Sequence, residues 1–129
     1  MNLVSDTNVF LAVVMNEPEK ERIIQLTSGS NVIAPEILPY EIGNALSAMH
    51  KRRQITNKEA MSAQRATNNI PVRLVAVDIQ KALRLAMEFK IYAYDAYFLQ
   101  CAKSLSSPLI TLDTRMKQVA SKLNIDVLE

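Results

Sequence analysis

Residues 2–15 read NLVSDTNVFLAVVM, and the reading of this stretch decides the fold. NLVS is a short apolar run suited to a buried strand. Asp6-Thr7-Asn8 then supplies side-chain oxygens that can satisfy the free N–H groups of a helix start, so FLAVVM is expected to be helical. A strand that passes straight into a helix leaves Asp6 at the junction.

Working outward, the pattern repeats. Pro18 is placed for the first turn of a second helix, EKERIIQL, which Ser28-Gly29-Ser30 ends before the short strand NVIA. From Glu36 to Arg53 the spacing of Leu38, Ile42, Ala45 and Met49 predicts one long helix, whose regular part is confined to the residues after Pro39. Thr56-Asn57-Lys58-Glu59 has the capping-box pattern and opens another helix. IPVRLVAV alternates like a strand, Asp78 is placed to cap IQKALRLAMEF, and Tyr94-Asp95 precedes the helix AYFLQCAKSL. Strand PLITL, helix TRMKQVASKL and a terminal strand IDVL complete the series. Short strands alternating with helices imply an α/β fold: a mainly parallel sheet of about five strands covered by helices on both faces, because right-handed crossovers lay each helix over the sheet.

Size and composition narrow the chemistry. A chain of 129 residues is expected to form one domain around one core, so every motif is read as part of a single site. Fifteen Lys and Arg against thirteen Asp and Glu leave a net charge of +2, so any nucleic-acid contact must come from a local patch. Cys101 is the only cysteine, which excludes an intrachain disulfide or a thiolate metal cluster and fits a reducing, cytoplasmic compartment. The N-terminal stretch has neither a basic leader nor the length of a membrane span, and two glycines exclude a Gly-rich phosphate loop.

What remains is acid. Asp6 ends the first strand and Asp113 comes directly after PLITL, so both are expected at the carboxyl edge of the sheet, where ligand crevices form. Side chains alternate along a strand, so Thr111 shares the face of Asp113. Glu41 is set against the apolar stripe of the long helix, with Asn44 on its side, and Asp95 opens a helix whose next residues are nearly all apolar. Carboxylates brought together raise one another's pKa unless a cation or a proton relieves them. Oxygen-only ligands suit Mg²⁺ or Mn²⁺, and Mg²⁺ commonly takes phosphate oxygens as further ligands, which implies a phosphate ester as substrate. Such an ion can activate a water for attack on phosphorus, leaving a 5′-phosphate and a 3′-hydroxyl. His50 is the only histidine, so neither a paired acid–base nuclease nor a Cys–His hydrolase is indicated.

The ordered motifs DTNVFL, PEILPYEIGNAL, YDAYFLQCA and LITLDTRM resemble those of PIN-domain ribonucleases, especially the VapC toxins of VapBC toxin–antitoxin systems, from about residue 2 to the end of the chain. The resemblance implies a three-layer α/β/α PIN fold and an Mg²⁺- or Mn²⁺-dependent endoribonuclease. In it Asp6, Glu41, Asp95 and Asp113 form the metal and catalytic site, and Thr111, Asn44 and Thr7 line it. It also implies a homodimer, inhibition by a VapB-type antitoxin whose C-terminal segment enters the groove, and DNA contact only through that antitoxin.

Each residue also has a plain structural role open to it. Asp6, Asp95 and Asp113 can be helix caps, and Glu41 can extend from a half-buried helix to water. His50-Lys51-Arg52-Arg53 can contact phosphates or complement a helix C-terminus. Tyr92, Tyr94 and Tyr97 can stack on bases or simply pack. Two other functions fit the same acids: a non-catalytic Mg²⁺-binding regulatory module, and a metal-dependent phosphoesterase acting on DNA or a small phosphorylated molecule.

Overall fold

The computed structural model describes residues 1–129. β1 (Asn2–Ser5) leads through α1 (Thr7–Val14) and α2 (Lys20–Thr27) to β2 (Asn31–Pro35). The chain continues through α3 (Leu38–Lys51) and α4 (Asn57–Asn68) to β3 (Arg73–Val75). It then returns through α5 (Ile79–Phe89) and α6 (Ala93–Ser104) to β4 (Leu109–Ile110), and ends in α7 (Thr114–Lys122) and a short tail.

All strand pairings are parallel, and the sheet order is β3-β2-β1-β4. The expected terminal strand is reduced to one parallel bridge, Leu109 to Val127, held by Leu109 N–H to Asp126 C=O at 2.8 Å and Leu128 N–H to Leu109 C=O at 2.9 Å. The strand expected over IPVRLVAV is also shorter, because only three of its residues pair, at an exposed edge of the sheet.

Adjacent strand residues point to opposite faces. Val4 and Leu109 accordingly join the main core with α3, α5, α6 and α7, whereas Leu3 and Ile110 join a smaller cluster with Val9, Ala12 and Ile23 of α1 and α2. The sheet is thus covered on both sides. α6 runs through the centre, with Ala96, Phe98, Leu99, Cys101 and Ala102 all buried. Burial pushes the Cys101 thiol up to about 11, which leaves it a packing group rather than a nucleophile.

The topology places the site. From β1 the chain steps outward to β2 and β3, then crosses back to lay β4 on the other side of β1. The winding therefore reverses between β1 and β4, and a crevice opens there beyond the carboxyl ends of the strands. Asp6 comes after β1 and Asp113 after β4, so the two residues flank that reversal.

Candidate active site

Asp6 is only 4% exposed. It is the N-cap of α1 in extended backbone conformation, and its Oδ1 accepts the Thr7 N–H at 2.8 Å. Its Oδ2 accepts the Thr111 hydroxyl at 2.9 Å. Thr111, itself buried, also accepts the Asp113 N–H on Oγ1 at 3.1 Å, so one hydroxyl ties the end of β1 to the turn after β4. Asp113 caps α7, with Oδ1 accepting the Met116 N–H at 3.0 Å.

Glu41 lies in the first turn of α3, where Pro39 fits because the first N–H groups of a helix have no intrahelical partner. The Thr7 hydroxyl donates to Glu41 Oε2 at 2.7 Å, so α1 holds the acid of α3 as well as Asp6. Asp95 does not cap its helix. Tyr92 occupies the cap position without a side-chain bond, and Asp95 stands inside the first turn of α6, near the positive end of the helix dipole.

Electrostatics join the four acids. Burial, reinforced by the charges of Asp95 and Glu41, raises the Asp6 pKa to about 6 against the hydrogen bonds from Thr111 and Thr7. Burial raises the Glu41 pKa against the Thr7 hydroxyl, and Asp95 adds to the rise. Asp95 is raised by burial and by Asp113. The single salt bridge of the fold, Lys117 to Glu129 at 3.3 Å, involves none of them. The arrangement is a cluster of negative charge without a basic partner, a place for a hard cation. No three of the carboxylates converge closely enough to chelate an ion by themselves.

Asn44 is exposed on α3 and makes no hydrogen bond in the site. A concavity of about 610 Å³ lies away from the acids at the α3–α4 corner, between His50, Lys51, Arg53 and Glu59. Three carboxyl groups of the acidic set are displaced upward from their ordinary pKa, which makes the acids rather than this hollow the candidate site.

Residues 3–122 match the PIN domain family. The chain belongs to that family. Solved structures share the fold of this PIN domain. PAE2754 from Pyrobaculum aerophilum aligns with a TM-score of 0.72 at 18% identity, covering 98% of this chain and 83% of that one. FitAcB from Neisseria gonorrhoeae aligns at 0.67 and 16% identity, covering 98% and 96%. VapBC-1 from nontypeable Haemophilus influenzae aligns at 0.66 and 19% identity, covering 100% and 98%. No curated protein matches the chain.

In this PIN domain the two threonines matter more than the sequence pattern indicates. Alternation along a strand puts Thr111 near Asp113 but does not reveal that its hydroxyl reaches Asp6, 105 positions away. The motifs give Thr7 only a place lining the site, yet it is the direct partner of Glu41. Both contacts depend on which elements become neighbours, for which the sequence carries no local signal.

Proposed function

We propose that the chain is a metal-dependent endoribonuclease, the toxin component of a type II toxin–antitoxin system. The observation that carries this reading is the set of four charge-coupled carboxyl groups from four separate elements, gathered at the reversal of a PIN fold without a basic partner. Asp6, Glu41, Asp95 and Asp113 would hold Mg²⁺ or Mn²⁺. When bound, the ion supplies charge neutralisation at the phosphoryl group and a water of lowered pKa. Thr111 fixes the Asp6 carboxylate and Thr7 fixes Glu41, so the oxygens are oriented before an ion or a substrate arrives. Asp95 forms no cap, so neither of its oxygens is used by the helix start.

The likeness to VapBC-1 and FitAcB supports a cognate antitoxin partner; a homodimer of this single PIN domain, a cytoplasmic setting and DNA contact only through a VapB-type antitoxin belong to the same proposal. Leu83 and Met87, exposed on α5, offer apolar surface that a protein partner would cover. No helix is long and apolar enough to cross a membrane.

The test is cleavage of a mixed RNA substrate by antitoxin-free protein in Mg²⁺, Mn²⁺ or EDTA, beside Asp6→Asn of verified fold. Metal-dependent cutting that the variant loses supports the nuclease. Equal cutting by the variant overturns the site, and metal binding without cleavage of RNA, DNA or a phosphomonoester leaves the regulatory-module reading in its place.

A further inference from the structure

Beside the acids, at the carboxyl ends of β2 and β3, lies a groove of about 470 Å³. Fully buried Pro35 forms part of its floor. Tyr40 of α3, Tyr94 and Tyr97 of α6 and Ile79 of α5 stand around it. The chain has four tyrosines and no tryptophan, and three of the four are here. Two of them leave most of their surface in water, Tyr40 at 75% and Tyr94 at 53% exposure, as does Ile79 at 65%. Tyr94 and Tyr97 meet edge to face at 6.0 Å, which fixes one ring against the other.

The groove is continuous with the acidic site through covalent structure. Tyr40 immediately precedes Glu41 and Tyr94 immediately precedes Asp95, so the helix turns that wall the groove also carry two of the four acids. No lysine or arginine lines it, so it does not suit a phosphate. Its one charged group is Glu36, whose side chain forms neither a salt bridge nor a capping bond. The backbone of Glu36 is anchored by its N–H donating to Val75 C=O at 3.0 Å. Aromatic walls, apolar floor and an unpaired carboxylate acceptor on an anchored backbone match a nucleobase: faces to stack, and N–H donors on the edge. Two donors side by side, matching the two oxygens of a carboxylate, occur on the Watson–Crick edge of guanine. In a duplex those faces and that edge are already taken, so the base must be unpaired.

We propose that this groove takes one unpaired base of the RNA substrate, preferentially guanine, next to the phosphodiester bound at the acids, with Tyr40 and Tyr94 as stacking surfaces and Glu36 as the edge reader. The proposal deepens the nuclease reading and rests on it, but its test reads binding, not cutting. Asp6→Asn protein is titrated with the four single-stranded pentaribonucleotides UUGUU, UUAUU, UUCUU and UUUUU, with tyrosine fluorescence as the signal. UUGUU is expected to bind about tenfold or more tightly than UUUUU. Adding Tyr94→Ala weakens all four by about five- to hundredfold. Adding Glu36→Gln removes the guanine preference and leaves the other three within about twofold. Both positions are exposed, so the variants should fold, and circular dichroism verifies it. Unchanged affinities in Tyr94→Ala overturn the base pocket, including the case in which the groove serves an apolar segment of a protein partner. A guanine preference that survives Glu36→Gln overturns the edge reader. If wild-type protein cuts no RNA while these base-dependent affinities hold, the nuclease reading fails and the pocket stands.

Discussion

Asp78 and Asp113 are locally alike. Each lies past the carboxyl end of a strand, each has extended backbone, and each uses Oδ1 to accept the N–H three residues on, at 3.0 Å. One lies beyond β3, the exposed edge strand, away from the reversal of the sheet. The other lies beyond β4, beside β1, where Asp95 feels its charge. Capping and participation in a site are therefore not alternatives. A cap uses one carboxylate oxygen and leaves the second available, and whether that second oxygen has work depends on where the sheet reverses. Asp6 is the extreme case, with one oxygen capping α1 and the other held by Thr111.

The sharpest way to break this comparison is isosteric substitution of the two caps. Asn caps as well as Asp, so neither Asp78→Asn nor Asp113→Asn should alter stability by more than a few tenths of a kcal/mol. In RNA cleavage, Asp113→Asn should lose on the order of 10²–10³-fold and Asp78→Asn nothing. Equal rates for the two variants would remove Asp113 from the site.

Asp6 provides a thermodynamic counterpart. Its folded pKa of about 6 lies above the ordinary 3.8, so between those values the folded state holds a proton that the unfolded chain has released. The contribution is fully present below about pH 4 and is lost as pH rises through about 6. Two units at 1.36 kcal/mol each give roughly 2–3 kcal/mol. Denaturant unfolding in EDTA should show wild type losing that much relative to Asp6→Asn between pH 4 and pH 7.5, with Glu41 and Asp95 adding in the same direction. Mg²⁺ should restore much of it to wild type. Parallel pH curves for the two proteins would mean that Asp6 is not buried as a charge.

Thr111→Val sharpens the comparison from the positioning side. The change keeps the side chain's shape and removes the donor to Asp6 Oδ2 and the acceptor for Asp113 N–H. Loss of a residue that orients a ligand typically costs 10–100-fold. Cleavage should fall within that range, with part recovered at higher Mg²⁺. Thr111→Ser, which retains the hydroxyl, should stay near wild type, and equal losses in both variants would assign Thr111 to packing alone.

Most of the fold was legible because its signals are local. The Thr56–Glu59 capping box forms as its spacing demands, with both reciprocal bonds present, and the expected apolar row of α3 packs inward, Leu38 and Ile42 buried and Ala45 and Met49 partly so. The alternating faces of β1 can be read from adjacent Leu3 and Val4, which enter different cores. The strand ends were harder. Residues 70–77 alternate as a strand should, yet β2 pairs with only three of them, and pairing is a property of the partner. The four acids could be picked out as candidates by position and by family resemblance, but their couplings and the Thr7 and Thr111 bonds could not. Those bonds span 34 and 105 positions and exist only once the order β3-β2-β1-β4 is set.

The smallest effect closes the comparison between the two caps. Asp78→Ala and Asp113→Ala each remove one cap, which costs about 1 kcal/mol wherever the helix lies. The losses need not be identical. Removing Asp113 also removes a charge that raises the Asp95 pKa, so part of its cap penalty is returned as relief of repulsion. Chemical denaturation at pH 7.5 in EDTA should therefore show Asp113→Ala destabilised by somewhat less than Asp78→Ala, by a few tenths of a kcal/mol. Saturating Mg²⁺ should reverse the order, because only wild type and Asp78→Ala would keep the full site. If Asp113→Ala is the less stable variant in both conditions, Asp113 serves α7 alone, and the acidic cluster is smaller than the four carboxylates that the sheet gathers.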